Sequence, residues 1–130
     1  MNDAPDVPPR VLQFIADKID TVPELEALLL MWESPARAWL DEEIARSVYV
    51  TTHAAMGILQ SLERRNLVCG DEHQPRRYAY SNSWDTCGDL MAEVAAAYRR
   101  HLIQVATFIH SNGSASIREF ARAFDLKKDR

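Results

Sequence analysis

Cysteine, glycine and positive charge are all scarce in this sequence, and each scarcity removes a class of explanation. There are two cysteines, Cys69 and Cys87. Their spacing matches neither a zinc site nor a redox pair, so both read as small, reduced packing residues. Four glycines are present, and none sits in a phosphate-loop or nucleophile-elbow pattern. Long apolar runs are missing too. The longest, Ala27 to Trp32, is far short of the ~20 residues that cross a bilayer. The N-terminus is acidic and proline-rich, where a secretory signal would be basic and then apolar. The chain therefore reads as cytoplasmic and without a membrane partner.

Catalytic constellations are missing as well. The four histidines are His53, His73, His101 and His110. His101 and His110 lie nine residues apart, which on one helix sets them on opposite faces. His73 near Cys69 is too sparse a set for zinc. Asp41-Glu42-Glu43 is a carboxylate cluster, but a helix start explains it. No catalytic residue, metal ligand or cofactor site is assigned, and the chain is not read as an enzyme.

Charge is the most informative shortage. Lys and Arg number 15 against 19 Asp and Glu, a formal net charge of −4. Residues 1–40 hold three basic and seven acidic side chains, and residues 41–80 hold five and six. Nucleic-acid binders usually carry a basic face. Any such face here is a local patch on an acidic body.

What is present is an ordinary globular composition, 47% hydrophobic and 26% charged over 130 residues. That is one domain's worth of chain, long enough to bury a core without staples. Residues 1–9 and 127–130 are expected to be loose ends, with one domain over 10–126. The pattern predicts a mainly α fold with a small β-wing. A first helix spans Arg10 to about Ile19, with Val11, Phe14, Ile15 and Ile19 on one face. Thr21 and Glu24 have the spacing of a capping box for a second helix, which runs to about Trp32. Leu25, Leu28, Leu29 and Trp32 point inward along it. A third helix covers Asp41 to about Ser47. Thr51 is an N-cap for a fourth, Thr52 to Arg65, and Asn66 ends it in a left-handed conformation. Leu67-Val68-Cys69 and Arg76 to Tyr80 read as strands around a polar turn. A long helix over 86–110 follows. Ser116 and Glu119 open a short tail helix over 116–124.

The words "LDEEIARSVYVTTHAAMGILQSLERRNLVCG", beginning at Leu40, and "RRYAYS" resemble the winged helix-turn-helix of bacterial regulators of the MarR and ArsR types. The resemblance covers 40–80. It rests on Ile44-Ala45 in the third helix, Ala55, Leu59 and Leu62 in the fourth, which would be the recognition helix, the stop at Asn66, and Leu67-Val68 in the strand. It implies a DNA-binding transcription regulator. Three residues depart from the pattern. Leu40 stands where Ser or Thr is usual, Asn66 where Gly is usual, and the first turns of the recognition helix carry no Arg or Lys.

With Ala55, Leu59 and Leu62 buried, helical periodicity exposes His53, Gly57, Gln60 and Arg64, with Thr52 and Met56 at the margin. Gln60 suits adenine and Met56 a thymine methyl. Thr51, Thr52 and the free helix-end N–H groups suit a phosphate. Gly57 costs ~1 kcal/mol inside a helix. Either it lets a partner backbone approach, or an exposed face tolerates it. Arg76 and Arg77 fall on the wing as candidates for a phosphate or the minor groove, and Arg64 and Arg65 add charge at the helix end.

The helix over 86–110 carries a stripe of Met91, Val94, Tyr98, Leu102, Val105 and Ile109, widened by Ile103, Ala106 and Phe108. So broad a face needs two neighbours. A homodimer interface through Tyr98, Leu102, Ile103, Val105, Phe108 and Ile109 is one solution; cover by the first helix or the tail is the other. The tail, with Phe120 and Phe124, either docks on its own domain or meets a partner. Two functions follow: a dimeric DNA-binding regulator, and a winged-helix module that recognises a protein of the transcription machinery.

Overall fold

Helix starts follow the side chains that can take up unpaired N–H groups at a helix end. The computed structural model describes residues 7–81 and 89–112. Helix α1 (Pro9–Lys18) opens on prolines, whose fixed φ suits a first turn. In α2 (Val22–Glu33), the Thr21 hydroxyl accepts the Glu24 N–H at 3.2 Å, and Glu24 Oε1 accepts the Asp20 N–H at 2.8 Å. The glutamate thus reaches back one residue beyond Thr21. Leu40 offers no hydroxyl to α3 (Asp41–Val48), but Glu43 Oε1 takes the Leu40 N–H at 2.9 Å. Thr51 caps α4 (Thr52–Arg64), accepting the Ala54 N–H at 3.0 Å.

Two left-handed residues redirect the chain. Asn66, φ 64°, follows α4 as expected, and Tyr49, φ 62°, makes the turn between α3 and α4. Asparagine enters this region readily, whereas nothing in a tyrosine announces it. Strands β1 (Val68–Gly70) and β2 (Tyr78–Tyr80) then pair antiparallel, with Val68 opposite Tyr80 and Gly70 opposite Tyr78. Trp39 exchanges backbone hydrogen bonds of 2.7 and 2.9 Å with Tyr78. The wing is thereby tied to the segment that enters α3. Helices α5 (Asp89–Arg100) and α6 (Leu102–Asn112) complete the described chain.

Helix α2 lies at the centre, packed on α3, α4, β2 and α5. Its Leu25, Ala27, Leu28 and Met31 are fully buried, as a helix with several neighbours requires. Helix α1 buries one stripe, Val11, Phe14 and Ile15, and packs on α5 and α6. Helix α4 buries Ala55, Leu59 and Leu62 and packs on α2 and α3. Among the described residues no helix is long and apolar enough to cross a membrane.

Several expectations are corrected. The described part of the long helix, expected over 86–110, divides at His101 into α5 and α6. The hydrogen bonds from His101 N–H to Ala97 O, 2.8 Å, and from Val105 N–H to His101 O, 2.9 Å, span the junction. An unbroken helix of this length would be ~36 Å long against ~15 Å for α1. The junction brings both halves onto that one short helix. Residues 7–9 are not loose: Val7 is buried in the core and Pro9 begins α1. Arg76 and Arg77 precede β2 because the Asp71 N–H meets Arg77 O at 2.9 Å and closes the loop there. Cys69 is exposed rather than packed, since strand alternation turns Val68 inward and Cys69 out. The tail helix expected over 116–124, residues 86–88 with Cys87, and the outermost ends lie outside the described residues.

The stripe assigned to a dimer also divides. Val105 and Ile109 are buried in the chain's own core, on a helix that packs against α1. Tyr98 is half-buried and its hydroxyl donates to Glu26 at 2.7 Å. Leu102 and Ile103 remain 48% and 75% exposed, with Phe108 half-buried beside them. Of the six residues assigned to a dimer, Leu102 and Ile103 are the exposed ones.

Candidate nucleic-acid interface

The burial of Ala55, Leu59 and Leu62 fixes which face α4 presents. Thr51, Thr52, His53, Met56, Gly57, Gln60 and Arg64 are all exposed on it. This is the face that helical periodicity selected. A Cβ added at Gly57 would meet nothing within 4 Å. The chain's own packing does not require glycine there.

Charge on this surface depends on which arginines are already engaged. Arg64 makes no ion pair among the described residues and is exposed. Its neighbour Arg65 turns the other way. The Arg65 guanidinium donates to Asp20 Oδ2 at 2.7 Å, to Lys18 O at 2.8 Å and to Glu24 Oε1 at 3.4 Å. It fastens the end of α4 to the corner between α1 and α2, so of these two arginines only Arg64 is left without an ion pair among the described residues.

The wing divides its arginines in the same way. Arg76 grips Glu63 of α4 through two hydrogen bonds, Nη1 to Oε1 at 3.0 Å and Nη2 to Oε2 at 2.7 Å. Its Nε donates to Asp71 O at 2.8 Å. The bonds to Glu63, and then to Tyr78, hold the guanidinium pKa above its ordinary value. The expectation that Arg76 stands ready for a phosphate is corrected: a carboxylate of its own chain already occupies it. Arg77 is exposed, and its guanidinium makes no ion pair among the described residues. Its backbone is held at both ends, the N–H by Asp71 Oδ1 at 3.0 Å and the carbonyl by the Asp71 N–H at 2.9 Å. The Arg77 N–H is also the chief reason the Asp71 carboxyl is held below its ordinary pKa.

One basic residue escaped the sequence reading. Arg46, in the last turn of α3, is exposed and lines a shallow polar recess with Glu42, Thr51 and Thr52. The signal for it was a basic residue closing the helix before the turn, five positions ahead of the Thr51 cap. Arg46, Arg64 and Arg77 are thus the arginines of α3, α4 and the wing that make no ion pair among the described residues. The site offers guanidinium and hydroxyl donors to phosphates and one amide, Gln60, to a base edge. Among the described residues no group of histidines, cysteines and carboxylates could hold a metal ion.

No protein-family model matches the chain, and no curated protein matches it. Solved structures do. A MepR variant from S. aureus bound to an oligodeoxyribonucleotide matches with a TM-score of 0.53 at 15% identity, over 92% of this chain and 84% of that one. The MarR family transcriptional regulator SPO1453 from Silicibacter pomeroyi DSS-3 gives 0.52 at 14% identity, over 93% and 85%. Mb0332 from Mycobacterium bovis gives 0.51 at 23% identity, over 78% and 94%. It is described as a homodimeric winged helix-turn-helix DNA-binding domain and a possible ArsR-family transcriptional regulator. At these identities the likeness establishes the fold: among the described residues, six helices and a two-stranded wing in a winged helix-turn-helix arrangement.

Proposed function

We propose that this winged helix-turn-helix chain is a DNA-binding transcription regulator that acts as a homodimer. The observation that carries the reading is the solvent-facing side of α4, where Thr52, His53, Met56, Gly57, Gln60 and Arg64 stand clear of the core. In this arrangement α4 enters the major groove, Gln60 reads a base edge, and Thr51 and Thr52 take a phosphate at the helix start. Arg46, Arg64 and Arg77 neutralise the backbone on either side. Leu102, Ile103 and Phe108 of α6 meet the same residues of a second copy, an isologous contact. The DNA in the S. aureus MepR structure and the homodimer of the M. bovis domain support the reading by analogy of fold. The work of this chain is binding, not catalysis.

DNA binding measured across salt concentrations tests it, with duplexes drawn from the region upstream of the protein's own gene. Three phosphate-directed arginines on each of two subunits give a log–log salt slope of roughly −5. Absence of retardation at low salt, with a dimeric sample, sinks the DNA reading. The second reading, a module that recognises another protein of the transcription machinery, then stands. It draws on the net charge of −4 and on the withdrawal of Arg65 and Arg76 into ion pairs.

A further inference from the structure

Glu63 faces the wing from the last turns of α4 and is the acceptor around which the wing is assembled. Besides the two bonds from Arg76, its Oε2 accepts the Gly70 N–H at 3.2 Å. Arg76 in turn bonds the Tyr78 hydroxyl at 3.4 Å, with its Cζ 5.2 Å from the Tyr78 ring. One guanidinium therefore joins α4, the start of the wing loop and β2. Its donors go to Asp71 O, to both oxygens of Glu63 and to Tyr78. Four of its five N–H groups are used in this way.

Room for the guanidinium depends on Gly70. A Cβ there would lie 2.6 Å from Arg76 Cζ and 2.7 Å from its Nε, closer than atoms in contact can come. Beyond Arg76, Asp71 braces the loop. Its Oδ1 accepts the His73 N–H at 3.1 Å and the Arg77 N–H at 3.0 Å. The chain of contacts runs from Glu63 through Arg76 and Asp71 to the backbone of Arg77.

Resting on the DNA-binding reading above, we propose that Arg76 is a positioning residue of the interface: clamped by Glu63, it sets the wing on α4 so that Arg77 meets the nucleic acid. The bidentate fork is what fixes the geometry. An ammonium, a point charge on a flexible stem, cannot reproduce it. Electrostatics alone predicts something different. Removing the Glu63 charge from a surface that faces phosphates would tighten binding and release Arg76 as a further ligand.

That opposition in sign makes the test. Wild type, Glu63→Gln, Arg76→Lys and Arg77→Ala are titrated against a labelled duplex from upstream of the gene, over a range of salt. Arg77→Ala should flatten the salt slope by about one for each subunit. Glu63→Gln and Arg76→Lys should each weaken binding about tenfold, ~1.4 kcal/mol. The double variant should bind no more weakly than either, because both break the same clamp. Tighter binding by Glu63→Gln, or wild-type binding by Arg76→Lys, overturns the proposal, since lysine serves a phosphate as well as arginine does where only charge matters. If wild type itself fails to bind DNA, the DNA reading falls, and the clamp is judged separately by amide hydrogen exchange. Faster exchange at the His73 and Arg77 N–H in Glu63→Gln, at an unchanged melting temperature, supports it; unchanged exchange overturns it.

Discussion

The Tyr98 hydroxyl in α5 donates a 2.7 Å hydrogen bond to Glu26 in α2, across 72 residues of sequence. It forms one wall of a cleft between α2, the end of α3 and α5, which Leu29, Glu33, Tyr49 and Arg99 also line. A residue that periodicity offered to a second subunit is thereby tied to the central helix of its own.

The first prediction concerns this bond. Tyr98→Phe should lower stability by about 1 kcal/mol at pH 7. Burial, and then the bond to Glu26, push the phenol pKa upward from its ordinary 10.0. The folded state therefore favours the protonated phenol. Its contribution is whole below pH 10 and fades as pH rises from there toward the raised value. Urea melts of both proteins should show a gap at pH 7 that narrows above pH 10. A gap that widens contradicts the assignment.

Arg65 and Arg64 should separate cleanly. Arg65→Ala leaves Asp20 and Glu24 without their shared cation in a half-buried corner. The expected loss is roughly 1–3 kcal/mol in a thermal or denaturant melt. Below its melting range, the variant should keep the wild-type salt slope in DNA titrations. Arg64→Ala should do the reverse: stability within ~0.5 kcal/mol of wild type, and a shallower slope.

Gly57 offers a choice that the sequence left open. Since a Cβ there touches nothing of the chain, Gly57→Ala should stabilise α4 by about 0.5–1 kcal/mol. If DNA approaches the backbone closely at Gly57, affinity should fall while the melting temperature rises. Unchanged affinity would assign the glycine to simple tolerance on an exposed face.

The dimer proposal rests on the apolar surface that α6 leaves uncovered. Ile103→Glu places a charge at its most exposed large apolar side chain. Light scattering should report twice the 14.8 kDa chain mass for wild type and a shift toward the single chain for the variant. Melting behaviour should change little at low concentration, because Ile103 contributes little to the core. A monomeric wild type at micromolar concentration ends the proposal.

Much of the fold was legible because its signals are local. Thr51, the buried triad Ala55, Leu59 and Leu62, and the stop at Asn66 lie within one helix and its caps, where neighbours three and four residues apart decide the outcome. The exposed face of the candidate interface followed from the same period. The break at His101 was not legible. Its stripe runs on through Leu102 and Val105, and only the joint packing of α5 and α6 on α1 sets a junction there.

The same boundary runs through the arginines. Sequence alone set two adjacent arginine pairs, Arg64-Arg65 at the end of the fourth helix and Arg76-Arg77 on the wing. Tertiary structure decided which member of each pair is available. Arg65 meets Asp20 from 45 residues away, and Arg76 meets Glu63 from 13. An ion pair needs its carboxylate within a few ångströms, and that distance is set by the packing of α4 on α2 and of the wing on α4. Helical period placed Arg64 outward, but no period in the sequence brings Glu63 to Arg76.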